Sequence, residues 1–239
     1  MPRPDPARTA HARAPRRSSI TWSVRAPLVA WLQAEAERAA ADLGSYRVLD
    51  VGCGYRPYEP FFAPRASEYV GVDMDNPAAD LQGVVEALPV PDHSFDVVLC
   101  TQVLEHTSDP ALAVRELARV VAPGGRVLAS THGTAVYHPA PNDFWRWTHT
   151  GLELLFTTNA DWRSVTVRPG AGTASCLAML LATYVDLAAQ KAHARPLGYP
   201  FVWTLNSSGA LVDRLSRRLR EPVPGTIFAN FHVVAEAPS

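Results

Sequence analysis

The chain has little that would stabilise it outside a reducing, aqueous compartment. Only three cysteines occur in 239 residues: Cys53, Cys100 and Cys176. They are odd in number, far apart and form no Cys-x-x-Cys pair, which argues against a disulfide framework or a zinc site. An excess of one charge is also missing. The 22 Lys and Arg face 23 Asp and Glu, so nothing global calls for nucleic acid or an anionic membrane as partner. No apolar stretch opens the chain, so no signal peptide is expected. The longest apolar run, Cys176 to Ala189, is broken by Thr183, Tyr184 and Asp186. It reads as too short and too polar to span a bilayer. No internal repeat is present. What remains is a cytoplasmic chain, 47% apolar, with enough length for one α/β domain and its core.

Residues 1–18 carry Arg3, Arg8, Arg13, Arg16 and Arg17 against Asp5, among several prolines, and read as a disordered basic tail. The competing reading is an arm that orders over the active site. Residues 19–239 read as one domain. It comprises an N-terminal helix (19–44), a cofactor-binding core (45–170), a helical insertion or cap (171–221) and a last strand (222–239). Val24, Leu28, Leu32, Ala36 and Ala39 fall at helical spacing before Gly44. Strands are expected at Arg47–Val51, Glu68–Asp73, Gly83–Ala87, Phe95–Thr101, Arg126–Thr131, Trp162–Arg168 and Phe228–Ala235. Helices are expected at Pro110–Val121, from a Thr150–Glu153 capping box to Phe156, and over most of 174–220, with a break near Pro196–Pro200. A turn is expected at Gly124-Gly125. This alternation is that of a doubly wound, mostly parallel sheet.

The strongest chemical signal is Val48-Leu-Asp-Val-Gly-Cys-Gly54, a buried strand running into two glycines. Glycines there allow a sharp turn and let a ligand lie against bare backbone. Asp73 closes the next strand, where an acid reaches ribose hydroxyls. A dinucleotide fingerprint would need a third glycine, and Pro57 stands in its place after Arg56. A ligand with a ribose but no pyrophosphate fits better. The run Asp50–Gly54 resembles motif I of class I S-adenosylmethionine-dependent methyltransferases of the small-molecule, UbiE-like type. Tyr69–Asp73, Ala87–Asp96, Val103–His106 with Asp109-Pro110, and Ala122–Leu128 resemble the family's later motifs, in order. The resemblance implies a Rossmann-like, seven-stranded, mostly parallel sheet with an antiparallel last strand. It implies S-adenosylmethionine as cofactor, leaving S-adenosylhomocysteine. Asp50, Gly52, Cys53 and Gly54 would lie along the methionine and sulfonium, Asp73 on the ribose, and Met74 on the adenine. Glu86 and Ala87 would flank the adenine edge, and Thr101 and Gln102 would lie beneath the cofactor. The family often has an aspartate where this chain has Val84, so adenine recognition would pass to backbone near Glu86. Cys53 reads as a small packed residue rather than a nucleophile, since no base stands beside it. His106 reads as an interior hydrogen-bonding residue.

The stretch Tyr137 to His149 follows the fifth strand, at the sheet end where ligands bind. His138, Asp143 and His149 are candidate general bases, because methyl transfer to oxygen needs alignment and a proton acceptor. Tyr137, Trp145, Arg146 and Trp147 are candidate walls for the acceptor. The structural alternative is an Asp143–Arg146 pair that fixes the loop and a His149 that caps the next helix. Leu177, Leu180, Leu181 and Tyr184 line up with Leu187 and Ala188. Such a stripe serves as core, as a homodimer contact, or as a lid over an apolar or lipid-linked acceptor. Arg214, Arg217, Arg218 and Arg220 read as a solvated face. The expected activity is methylation of a small-molecule oxygen on a natural product or sugar-derived acceptor, with no nucleic acid and no transmembrane segment. A cyclisation or decarboxylation aided by the bound sulfonium, and a non-catalytic scaffold, are the competing readings.

Overall fold

Strands buried on both faces organise the molecule. The computed structural model describes residues 6–139 and 141–239. Helices α1 (Pro6–Arg13) and α2 (Trp22–Leu43) lead into β1 (Tyr46–Val51), α3 (Glu59–Phe62), β2 (Ala66–Asp73) and β3 (Leu81–Gln82). Then come β4 (Phe95–Thr101), α4 (Pro110–Val120), β5 (Val121–His132), α5 (His149–Asn159) and β6 (Ser164–Pro169). Helices α6 (Thr173–Lys191) and α7 (Arg195–Leu215), a 3-10 turn at Arg217–Arg220, and β7 (Asn230–Glu236) complete the chain. The seven strands lie in the order β3-β2-β1-β4-β5-β7-β6, and β7 alone runs antiparallel to its neighbours. This is the expected Rossmann-like sheet.

Period-two alternation divides each central strand between two cores. Leu49 and Val51 of β1 join Val98 and Cys100 of β4 under α4 and α5. Tyr46 and Val48 join Val97 and Leu99 under α2 and α3. Leu28 and Leu32 of α2 are almost wholly buried in the second core, and each such side chain contributes about 2 kcal/mol. Helix α4 starts where Asp109 accepts from the Leu112 amide at 2.9 Å, ahead of Pro110. Helix α2 stops at Gly44, whose φ of 72° suits glycine.

Several expectations are corrected. Residues 6–13 of the expected disordered tail form α1, and Arg13 donates to the Pro57 carbonyl at 3.0 Å. Arg17 stacks on Trp22. Arg3 lies outside the described residues. The third strand falls at Leu81–Gln82 rather than 83–87, because its edge pairing with Val72 and Asp73 ends there. The Gly124-Gly125 turn is a register shift inside β5, not its beginning. Thr148, not Thr150, caps α5, its Oγ1 accepting from the Gly151 amide at 3.0 Å. The hairpin breaks at 192–194, and Pro200 sits inside α7. By length and apolarity α6 could cross a membrane, contrary to the expectation for this run, yet 44% of it is buried in the fold.

Candidate active site

The loop after β1 is held by backbone geometry. Gly52 and Gly54 adopt φ of 66° and 49°. The Gly52 and Cys53 amides both donate to the Val72 carbonyl, at 2.8 and 3.1 Å. Asp73 ties this loop to the next strand. One carboxylate oxygen accepts from the Gly54 amide at 2.9 Å, and the other accepts from the amides of Asp75 and Asn76 at 3.0 and 2.9 Å. Arg56 is drawn away into an ion pair with Asp80, which itself accepts from the Gly71 amide at 2.8 Å.

Two cavities meet over this loop. The first, about 610 Å³, is lined by Gly52, Asp73, Met74, Val84 to Glu86, Gln102, His106 and Phe144. The second, about 970 Å³, is lined by Asp50, Gly52 to Tyr55, Thr101, Gln102, His132, His138 and Met179. Gly52 and Gln102 border both. Gln102 is set there with φ of 58°, and its side-chain nitrogen donates to Ser130 Oγ at 2.9 Å and Asn230 Oδ1 at 3.1 Å. Glu86 sits in the first cavity wall and accepts from the Thr107 hydroxyl and the Ser108 amide. Burial works against its ionisation, but these hydrogen bonds prevail and hold it below the ordinary carboxylate value. Ala87 lies outside both cavities, because the chain turns outward there.

Asp50 is buried at the floor of the second cavity, with one oxygen accepting from Tyr69 Oη at 2.7 Å. Burial raises its pKa to about 7 in spite of that bond. Cys53 is buried, and burial together with Asp50 and Asp73 pushes its thiol up to about 12, so it is a packed residue.

Three histidines gather between the cavities, His132 and His138 lining the second and His106 the first. The His138 ring lies 5.2 Å from that of His132 and 5.0 Å from that of His106. His132 ends β5, and its Nδ1 is 3.5 Å from Oε1 of Glu105. Glu105 is fully buried, and its other oxygen accepts from Thr131 Oγ1 at 2.8 Å. Both facing atoms, His132 Nδ1 and Glu105 Oε1, are buried with no hydrogen-bond partner at normal distance. Burial, then the charges of His138 and Arg146, lower His132 to about 4. Burial and His106 lower His138 as well, and Asp143 opposes them only in part. Both rings are therefore neutral near pH 7, the form that accepts a proton.

Burial raises Glu105 from 4.5 to about 7. A carboxyl whose folded value is raised contributes its stability below the unfolded value and loses it as pH climbs through the folded one. Glu105→Gln should therefore gain stability relative to the parent as pH rises from 4.5 past 7. The gain should reach up to about 3 kcal/mol. Denaturant titration of both proteins on either side of that interval measures it, and a pH-independent difference would refute it.

The other proposed bases are corrected. Asp143 accepts two bonds from Arg146 and one from the His138 amide at 2.9 Å. Arg146 outweighs burial and holds Asp143 far below the carboxylate range, so it cannot take a proton near neutrality. Arg146 also donates to the carbonyls of Ala135, Val136 and Trp145, which makes the pair a brace for the loop. His149 lies outside both cavities, with Nε2 3.0 Å from the Val167 carbonyl. Among the expected acceptor walls, Tyr137 is three-quarters exposed to solvent. Trp145 and Trp147 stack on each other at 5.6 Å, and Trp145 Nε1 donates to the Thr107 carbonyl. Trp147 packs on the core instead. Phe144 reaches the first cavity in their place. Sequence reasoning missed His132 and Glu105. The available signal was His132's position at the carboxyl end of a central strand.

Residues 49–129 match the methyltransferase domain family. The match covers about a third of the chain. An uncharacterized methyltransferase, YcgJ of Bacillus subtilis, is 36% identical over 114 residues, or 41% of this chain and 43% of that protein. A ubiquinone biosynthesis O-methyltransferase of Neisseria meningitidis serogroup A is 40% identical over 111 residues, or 38% of this chain and 46% of its own length. The chain thus matches less than half the length of these curated relatives. The YcgJ crystal structure aligns with 87% of this chain and 99% of its own at a TM-score of 0.50 and 22% identity. The [4+2]-cyclase SpnF aligns with 86% of this chain and 81% of its own at 0.52 and 17%. Both likenesses concern the fold. The matched region runs from β1 to β5, and the segments outside it supply α1, α2, the histidine-bearing loop after His132 and the α6–α7 hairpin.

Proposed function

We propose that this chain transfers a methyl group from S-adenosylmethionine to a hydroxyl of a small acceptor, a natural product or a sugar-derived molecule, in the cytoplasm. The observation that carries the reading is the meeting of the two cavities at Gly52 and Gln102, with a carboxylate on one side and neutral histidines on the other. The residues fit this cofactor. A Cβ built on Gly54 would meet nothing within 4 Å, so bare backbone faces open space. Asp73 retains one lone pair, on the oxygen that accepts from Gly54, for a ribose hydroxyl, and Met74, half exposed, offers an apolar wall to adenine. Asp50, neutralised by burial, would ionise beside an ammonium group. When bound, S-adenosylmethionine supplies an electrophilic methyl on a sulfonium, a good leaving group.

The chain's own residues do the rest. Val24, Leu28 and Met179 line the second cavity with apolar surface and exclude water from an acceptor held there. His138 or His132 removes the hydroxyl proton. Oxygen suits this site because a hydroxyl must lose a proton and a neutral imidazole can receive it. The Neisseria relative, named as an O-methyltransferase, supports the same atom.

The test is calorimetric titration with S-adenosylhomocysteine, with NADH as control, followed by an acceptor screen that reads cofactor consumption. Micromolar binding of the first ligand alone is expected, with turnover on an acceptor hydroxyl. Preference for NADH, or catalysis that leaves S-adenosylmethionine intact, would overturn the reading.

A further inference from the structure

The outer side of the α6–α7 hairpin is apolar and uncovered. The helices pack on each other through Gly198 against Ala189 and Gly209 against Ala178. They pack on the body through Cys176, Met179 and Asn206. Opposite those contacts, α6 exposes Leu177, Leu181 and Tyr184, and α7 exposes Leu197, Phe201 and Leu215. Leu181 is 57%, Phe201 65% and Leu215 78% accessible. Helical spacing puts each set on one face of its helix. Contiguous apolar surface of this kind marks an interaction site.

Charge indicates what covers it. Residues 173–220 carry six Lys and Arg against two Asp, while the rest of the chain carries 16 against 21. The near-neutral total hides this segregation. Lys191 and Arg195 stand at one end of the hairpin, and Arg214 and the turn Arg217–Arg220 at the other. Arg195 pairs with Asp186 and Arg217 with Glu221. Among the described residues, Arg214, Arg218 and Arg220 meet no carboxylate and are exposed. An apolar face with free arginines at the end of its hairpin is complementary to anionic headgroups above acyl chains. A two-fold contact between copies through the same face would set like charges around one seam.

We propose that the outer face of the α6–α7 hairpin docks on the surface of an anionic phospholipid bilayer. Leu181 and Phe201 insert at the headgroup boundary, and Arg218 and Arg220, in the turn at the end of α7, contact lipid phosphates. Met179 and Thr183 on the inner side of α6 line the second cavity, so docking brings that cavity beside the lipid surface. The inference is independent of the cofactor reading.

Co-sedimentation with phosphatidylglycerol–phosphatidylcholine vesicles, and with pure phosphatidylcholine vesicles, tests it on the full chain. Binding should require phosphatidylglycerol and weaken with salt. It should fall about tenfold or more in Arg218→Glu/Arg220→Glu and in Leu181→Asp/Phe201→Asp. Both variants should keep the parent's melting temperature and affinity for S-adenosylhomocysteine. Loss of that affinity in the parent itself would defeat the methyl-transfer reading and leave docking standing. No phosphatidylglycerol-dependent binding, or binding unchanged in both variants, overturns docking. So does a dimer in light scattering that Leu181→Asp/Phe201→Asp converts to monomer.

Discussion

Gly52→Ala is expected to destabilise the fold by about 3 kcal/mol, whereas Gly54→Ala leaves stability within about 1 kcal/mol and weakens cofactor binding instead. Both glycines lie in the left-handed region, so a side chain brings backbone strain at each. Their surroundings differ. A Cβ on Gly52 would sit 2.4 Å from Cγ2 of Val103, a β-branched side chain with little rotamer freedom. The loop or β4 would have to move, and two amide bonds to the Val72 carbonyl would be disturbed. A Cβ on Gly54 meets nothing, and the space it enters is that assigned to the cofactor. Thermal unfolding should show a drop of about 10 °C for the first variant and little for the second. Calorimetry with S-adenosylhomocysteine should show weakened binding for the second. Equal melting temperatures would mean that Val103 yields, and unchanged affinity in Gly54→Ala would remove the cofactor from that backbone.

Asp73→Ala should lower affinity for S-adenosylhomocysteine by about a hundredfold, or about 3 kcal/mol. The structure makes this larger than the loss of ribose hydrogen bonds alone. The same carboxylate accepts from the Gly54, Asp75 and Asn76 amides, so its removal also releases the glycine loop that faces the ligand. Asp73→Asn is the sharper control. It keeps one oxygen for those amides but turns an amino group toward the others, so it should fall nearer to alanine than to the parent. Affinity within about threefold of the parent in both variants would remove Asp73 from the site.

The glycine loop and Asp73, proposed to hold the cofactor, were legible in the amino-acid order because their geometry is local. A buried strand, two glycines and an acid at the end of the next strand specify their own geometry wherever a parallel sheet forms. The strands at Phe95–Thr101 and 46–51 and helix α4 were readable for the same reason, since two-residue and helical periodicities report burial directly. The acceptor half was not legible. The Asp143–Arg146 pair was one of two open readings of this loop, and nothing in the residue order decides for it or says that burial keeps His138 uncharged.

His132, Glu105, His106 and His138 come from the end of β5 and from two separate loops. Their closeness, and the two facing buried atoms between Glu105 and His132, exist only once the sheet has formed. The N-terminal arginines read as a tail because composition carries no record of what a segment packs against, and α1 orders where Arg13 reaches Pro57. The stripe on α6 was visible as a stripe, but its use was not. Periodicity specifies which residues share a face, and only the packing of α7 and the body decides which face is left over for another partner. The sequence by itself therefore determined the sheet and the glycine–aspartate cradle, through short-range periodicity and backbone conformation. Tertiary structure alone decided the cluster of neutral histidines and the exposed hairpin face, because desolvation and contact are properties of residues brought together from distant segments.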